Sequence, residues 1–154
     1  METGGGRVHV YTVKVCENGD VFWYNAEGDL HRVDGPAVEI ADGYKAWHFN
    51  GKFHREDGPA IEGADGYKAW HFNGKRHRED GPAVVRADGY KAWCVDGKPH
   101  RADGPAVEWP SGGKWWYLNG EELSEAEFNQ RMAEKSRPCV GKKVWVEGVE
   151  YTLS

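Results

Sequence analysis

Short runs of apolar and polar residues alternate along most of this chain, and the same alternation keeps returning. "PAVEI" at Pro36–Ile40 reads as a strand and is followed by "ADG", a tight hairpin-turn signal. "YKAWHF" at Tyr44–Phe49 reads as a second, aromatic strand ending on "NG", another turn signal. Taken as one strand of period two, Tyr44–Phe49 puts Tyr44, Ala46 and His48 on one face and Lys45, Trp47 and Phe49 on the other. The Trp/Phe face is the better candidate for the core. The half-polar Tyr/His face is left either to solvent or to the lining of a groove. No helical period of 3.6 appears before Leu123, which predicts an all-β meander. The pattern then changes. "SEAEFNQRMAEK" opens with Ser124 and Glu127 as a capping box, and Phe128 and Met132 lie four apart as a docking stripe. "RP" at Arg137–Pro138 ends the predicted helix, and "KKVWVEGVEYTLS" reads as a closing hairpin around Glu147-Gly148.

The alternation has a period of 23. His31, His54, His77 and His100 keep that step, as do the "DGPA" quartets at Asp34, Asp57, Asp80 and Asp103 and the tryptophans Trp47, Trp70, Trp93 and Trp116. "ENGDVFWYNAEGDLH" reads as a degenerate first copy, and "GGKWWYLNGEEL" as a last one with Leu123 where histidine is due. Atypical ends suit a repeat array, whose terminal units have one neighbour each. The expected organisation is an elongated array of about five hairpin units over residues 18–123, an N-terminal strand or cap over 1–17, and a helix-plus-hairpin cap over 124–154. That cap is expected to cover the last open strand edge.

Composition narrows the function classes. The 154 residues are 39% hydrophobic, with 21 glycines and 8 tryptophans, which predicts a thin aromatic core between many turns. The net charge is −5, and the stretch His31–Leu123 carries 13 Lys/Arg against 15 Asp/Glu, evenly interspersed. Duplex nucleic acid rests on clustered basic charge, so it is not an expected partner. No run reaches the ~18 apolar residues of a membrane span. Cys16, Cys94 and Cys139 form no CxxC pair, and no apolar leader follows "METGGGRVHV", which together predict a reducing, cytoplasmic setting.

The segment "HREDGPA" gathers a histidine, an arginine and two acids, which invites a catalytic or metal-binding reading. Equivalent points of stacked hairpins lie roughly 10 Å apart, at ~4.7–4.9 Å per strand. Zinc–ligand bonds are ~2 Å, so one ion cannot join two of the histidines, and no metal or other cofactor is expected. His31, His54, His77 and His100 are expected to bond a turn carbonyl, and Asp34, Asp57, Asp80 and Asp103 to shape turns beside a local arginine. Cys94 stands where His48 and His71 stand in other copies, and is expected to be a simple strand exchange. No catalytic residues emerge, and a non-enzyme is expected.

Differences between copies single out other positions. Residues 42–60 and 65–83 are identical except at Phe53 against Arg76. The first strand of each unit also varies at its end, giving Ile40, Arg86 and Trp109. A constant scaffold with a few variable positions is how a repeat protein individualises a binding surface; drift after a recent duplication explains the same pattern nearly as well.

"YKAWHFNGKRHREDGPAVVRADG" at Tyr67–Gly89 resembles a MORN-type repeat, and most closely the MORN-like variant built on W-x-x-N-G-K-x-H-R-x-D-G-P-A found in phage and bacterial proteins. The closing "WYLNGEELSEAEF" is similar to the ends of such arrays, and the resemblance covers Asn18–Phe128. It implies an elongated sheet engaged in protein or lipid binding. The chain has "HRxDGPA" where the standard motif has a glycine after histidine, so lipid binding is not expected to carry over. The phage members of that group imply a small accessory protein, and, if this chain is phage-encoded, an inhibitor of a host defence component acting in host cytoplasm. The leading expectation is therefore a non-enzymatic module that binds a protein partner through Phe53, Arg76, Ile40, Arg86 and Trp109. The alternative is sequestration of a small anionic ligand such as a signalling nucleotide, with Tyr44, Tyr67 and Tyr90 stacking a base beside His and Arg. Self-association is compatible with either.

Overall fold

The computed structural model describes residues 10–136, 143–146 and 149–152. Two strands, β1 (Thr12–Val15) and β2 (Val21–Tyr24), open an antiparallel sheet. The first full unit adds β3 (Val38–Glu39) and β4 (Lys45–Ala46), then leaves the sheet to make a separate two-stranded ribbon, β5 (His48–Phe49) with β6 (Lys52–Phe53). The second unit repeats this as β7 (Ile61–Glu62), β8 (Lys68–Ala69), β9 (His71–Phe72) and β10 (Lys75–Arg76). The third does so as β11 (Val84–Val85), β12 (Lys91–Ala92), β13 (Cys94–Val95) and β14 (Lys98–Pro99). The fourth contributes β15 (Val107–Glu108), a longer β16 (Lys114–Leu118) and β17 (Glu121–Leu123). The main sheet thus has eleven strands in sequence order, with the three ribbons lying between β4 and β7, β8 and β11, and β12 and β15. Among the described residues the protein is all-β with one helix, α1 (Glu125–Lys135).

Two turns recur in each unit. The "ADG" turn is held by Tyr44 N–H to the Asp42 carboxylate and by Gly43 N–H to the Ile40 carbonyl. The ribbon turn puts both central residues at positive φ, Asn50 at 47° and Gly51 at 74°. That is the two-residue hairpin turn for which Asn-Gly is the preferred pair, since asparagine tolerates the left-handed region and glycine enters it freely.

The strand expected from Tyr44 to Phe49 is broken at Trp47. Its N–H donates to the Ala60 carbonyl and its own carbonyl accepts from His54 N–H, so the chain turns there from the sheet into the ribbon. In the last unit no DGPA segment follows to take the Trp116 amide, and β16 runs straight through.

The break also overturns the expected core face. Ala46 and His48 are buried, whereas Phe49 is 45% exposed. Ala37, Ala46, Ala60, Ala69, Ala83 and Ala106 are fully buried, and Val84 is the largest side chain so enclosed. The core is therefore alanine and valine, not aromatic. Its central cluster of Ala69, Val84, Ala92 and Val107 is covered by Ile61, Tyr67, Tyr90 and Tyr117, so the tyrosine face points inward. The opposite side of the sheet pairs Glu39 with Lys45, Lys45 with Glu62 and Glu62 with Lys68, opposite charges facing across strands.

Helix α1 begins at Ser124, whose hydroxyl accepts from Glu127 N–H while the Glu127 carboxylate accepts from Ser124 N–H, the expected capping box. Phe128 is buried against Trp116, ring centroids 4.7 Å apart, and Arg131 makes a two-pronged bond to Glu121 of β17. The closing hairpin, β18 (Lys143–Val146) with β19 (Val149–Thr152), forms its own two-stranded sheet and does not extend the main one. Its expected turn, Glu147-Gly148, lies outside the described residues, as do Arg137–Pro138 and Cys139.

Candidate binding site: a row of equivalent grooves

The "HRxDGPA" segment is the return path from each ribbon to the sheet, and arginine is its organiser. The Arg55 guanidinium lies 3.9 Å over the Trp47 ring. Its Nε donates to Asp57 at 2.8 Å, and its Nη1 donates to the Pro59 carbonyl at 3.2 Å and to Glu62 at 2.9 Å. Arg32 over Trp23, Arg78 over Trp70 and Arg101 over Trp93 repeat the arrangement at 3.9–4.1 Å. Arg78 alone of the four has no acid at the Glu62 position, since Val85 stands there. The glycine of the segment follows from this packing: a Cβ on Gly58 would come within 2.9 Å of the Arg55 Cζ. The arginine holds the Asp57, Asp80 and Asp103 carboxyls below their usual range, by hydrogen bonding first and by charge second.

Histidine joins one unit to the next. Nδ1 of His31 accepts from Asn50 N–H at 3.0 Å, that of His54 from Asn73 N–H at 3.2 Å, that of His77 from Asp96 N–H at 3.2 Å and that of His100 from Asn119 N–H at 3.0 Å. The adjacent glycine amide of the same turn donates to the carbonyl preceding the histidine, as Gly74 N–H does to Phe53 at 2.8 Å. The imidazole therefore accepts from a turn amide of the following unit and does not donate to a turn carbonyl as expected. The ribbon turn presents two inward N–H groups that need acceptors, and a ring nitrogen supplies one of them.

Between successive return segments the structure holds three equivalent grooves. The first, of about 900 Å³, is lined by Trp47, Phe49, His54, Arg55, Glu56 and Asp57 among others. The second, of about 510 Å³, has Trp70, Phe72, His77, Arg78, Glu79 and Asp80 in the same places. The third, of about 770 Å³, has Trp93, Val95, His100 and Arg101. A stripe of rings runs through the first two: His31 to Phe49 at 4.6 Å, Phe49 to His54 at 5.9 Å, His54 to Phe72 at 4.7 Å and Phe72 to His77 at 6.2 Å. Phe49 and Phe72 are 45% and 44% exposed. They escaped the sequence reading, which assigned them to the core. The signal was available in the Asn-Gly pair directly after them, because a two-residue turn leaves its flanking residues at a hairpin tip.

The predicted contact residues fall on two other surfaces. Phe53 and Arg76 pair across the ribbons with His48 and His71. Phe53 is half-buried between those two imidazoles, 4.3 and 5.3 Å away, which makes it a packing residue, while Arg76 is exposed. Arg86, Tyr90 and Trp109 come together at the ends of β11, β12 and β15, Arg86 4.7 Å over Tyr90 and Trp109 4.8 Å from Tyr90, with Trp115 joining at 5.2 Å from Trp109. Ile40 and Tyr44 lie at the equivalent ends of β3 and β4 two units earlier, and Tyr44, Tyr67 and Tyr90 are all half-buried. Burial pushes the Cys94 thiol up and the His48 and His71 imidazoles down, the backbones of Ala46 and Ala69 opposing the histidine shift in part. Among the described residues no three His, Cys, Asp or Glu side chains gather as a metal set, and no helix is long and apolar enough to cross a membrane. No family model and no curated protein matches this sequence.

Proposed function

We propose that this array is a non-catalytic, MORN-like module that binds a protein partner along the row of grooves. The observation that supports it is the pair of half-exposed phenylalanines, Phe49 and Phe72, set one unit apart on a rigid ladder with a tryptophan beside each. Rigid aromatic anchors in pockets carry much of the energy of protein interfaces. The exposed groups at the groove rims are acidic, and each arginine is already engaged by ring, carbonyl and carboxylate. That favours a cationic face on the partner over the anionic small ligand. A role as inhibitor of a host defence component remains within this reading and rests on the resemblance of the repeats.

The test is copurification from host lysate with mass spectrometry, repeated with Phe49→Ala and Phe72→Ala combined. The expected result is a specific partner whose affinity falls by roughly 30-fold or more, the effect of losing an anchor worth ~2 kcal/mol, with the melting temperature little changed. A partner held equally by the variant contradicts the proposal.

A further inference from the structure

The first two grooves each combine a tryptophan and a phenylalanine with exposed acids at the same positions, and the third keeps Trp93 and Asp103 but has Val95 and Ala102 in place of the phenylalanine and the glutamate. Successive units are two strands apart in the main sheet, roughly 9.4–9.8 Å at the usual strand spacing. That length selects among peptide conformations. An extended strand covers it in three residues, but side chains three apart in a strand point to opposite faces. A helix at 1.5 Å per residue covers it in about 6.4 residues, which is not a whole number of turns. A polyproline-II segment has three residues per turn and a 3.1 Å rise, so every third side chain lies on one face ~9.3 Å from the last. Only this conformer keeps step with the grooves.

Charge adds the second half of the argument. The Glu56, Asp57, Glu79, Asp80 and Asp103 side chains are 80–84% exposed, whereas Arg55, Arg78 and Arg101 are 21–25% exposed beneath them. The lysines of the ribbons, Lys52, Lys75 and Lys98, each pack beside the glycine of the next ribbon turn. A chain lying across the first two rims meets the Glu56 and Glu79 carboxylates, while Asp57, Asp80 and Asp103 are each bonded to an arginine. Phe49 and Phe72, 45% and 44% exposed and one unit apart, offer aromatic surface of the kind that docks polyproline-II ligands, while Trp47 and Trp70 beside them each carry an arginine over one face.

We propose that the grooves accept a basic, proline-rich segment of the partner in the polyproline-II conformation, one side chain of every three entering successive grooves. This rests on the protein-binding reading above and names the chemistry of what is bound.

The experiment titrates the full chain with three end-capped twelve-residue peptides, using fluorescence anisotropy at low and at physiological salt. The first is four repeats of Pro-Pro-Arg, the second four repeats of Pro-Pro-Glu, and the third has the first's composition with arginines at irregular spacing. The expected result is saturable binding of the first, at least 10-fold weaker binding of the other two, and weakening by salt. Phe49→Ala with Phe72→Ala should reduce affinity for the first peptide at least 10-fold. Glu56→Gln with Glu79→Gln, both at exposed positions, should reduce it several-fold and flatten the salt dependence. No binding of the first peptide overturns the inference, as does equal binding of the irregular one, which would leave charge alone as the attraction. If the peptides fail while a lysate partner still depends on Phe49 and Phe72, the ligand class falls and the protein-binding reading stands. If that partner is indifferent to both phenylalanines, the protein-binding reading falls itself.

Discussion

Arg55 serves a ring, a carbonyl and two carboxylates at once, and two substitutions separate these contacts. Lysine keeps the charge but loses the planar fork that serves ring, carbonyl and two carboxylates together. Arg55→Lys is expected to cost about 1.5–3 kcal/mol, the range for hydrogen bonds to charged groups. Arg78→Lys should cost less, because Val85 replaces the acid that Glu62 provides to Arg55. Urea denaturation of both variants checks the order, and equal losses would show that the Glu62 contact adds nothing. Buried His48 and half-buried His71 give a pH signature. His48 and His71 have folded-state pKa values below the ordinary 6.5 because burial disfavours their charged form. The unfolded chain then takes up protons first, so stability is full above about pH 6.5 and declines as the pH falls below it. His71→Cys copies the residue already present at Cys94 and should flatten the decline measured by urea midpoints between pH 8 and 5. An unchanged slope would place the titration elsewhere.

At the scale of elements, the helix depends on one contact and one cap. Phe128→Ala is expected to cost about 3 kcal/mol or more from a buried aromatic site, and Ser124→Ala about 1 kcal/mol. Both should appear as loss of helical circular dichroism at lower denaturant. Truncation after Leu123 uncovers Trp116 and the β17 edge, and sedimentation velocity should then show association that grows with concentration. A monomeric truncation with an unchanged melting temperature would contradict the capping role. Legibility was uneven at this scale. The period of 23, the Asn-Gly turns and the Ser124–Glu127 box are local in sequence, so the elements they specify were readable from it. The core face was not, because Tyr44–Phe49 reads as one alternating strand and only the tertiary bond from Trp47 to Ala60 breaks it. The histidine's partner was equally hidden, since its acceptor role depends on an amide 19 residues away in the next unit.

The whole molecule is a ladder in which each unit touches its neighbours by repeated bonds, and its candidate site is a repeated one for the same reason. Recognition was the least legible level. Differences between copies single out Phe53, which packs against two histidines, while the phenylalanine, histidine, arginine and acids of the first two grooves are residues those two copies share. A shared residue carries no contrast within one sequence, so only the assembled array reveals it. The exchange of Phe53 and Arg76 is accordingly expected to lower stability, since Phe53→Arg places a guanidinium between His48 and His71. The central claim is that the shared grooves, and not the variable edge, are the binding surface. The most direct measurement is a nitrogen-15 NMR titration with the Pro-Pro-Arg peptide, following the indole N–H signals. The account predicts shifts at Trp47, Trp70 and Trp93 and in the amides of residues 54–57 and 77–80, with Trp109 and Trp115 still. Shifts confined to Arg86, Trp109 and Trp115, or none at all, would contradict it.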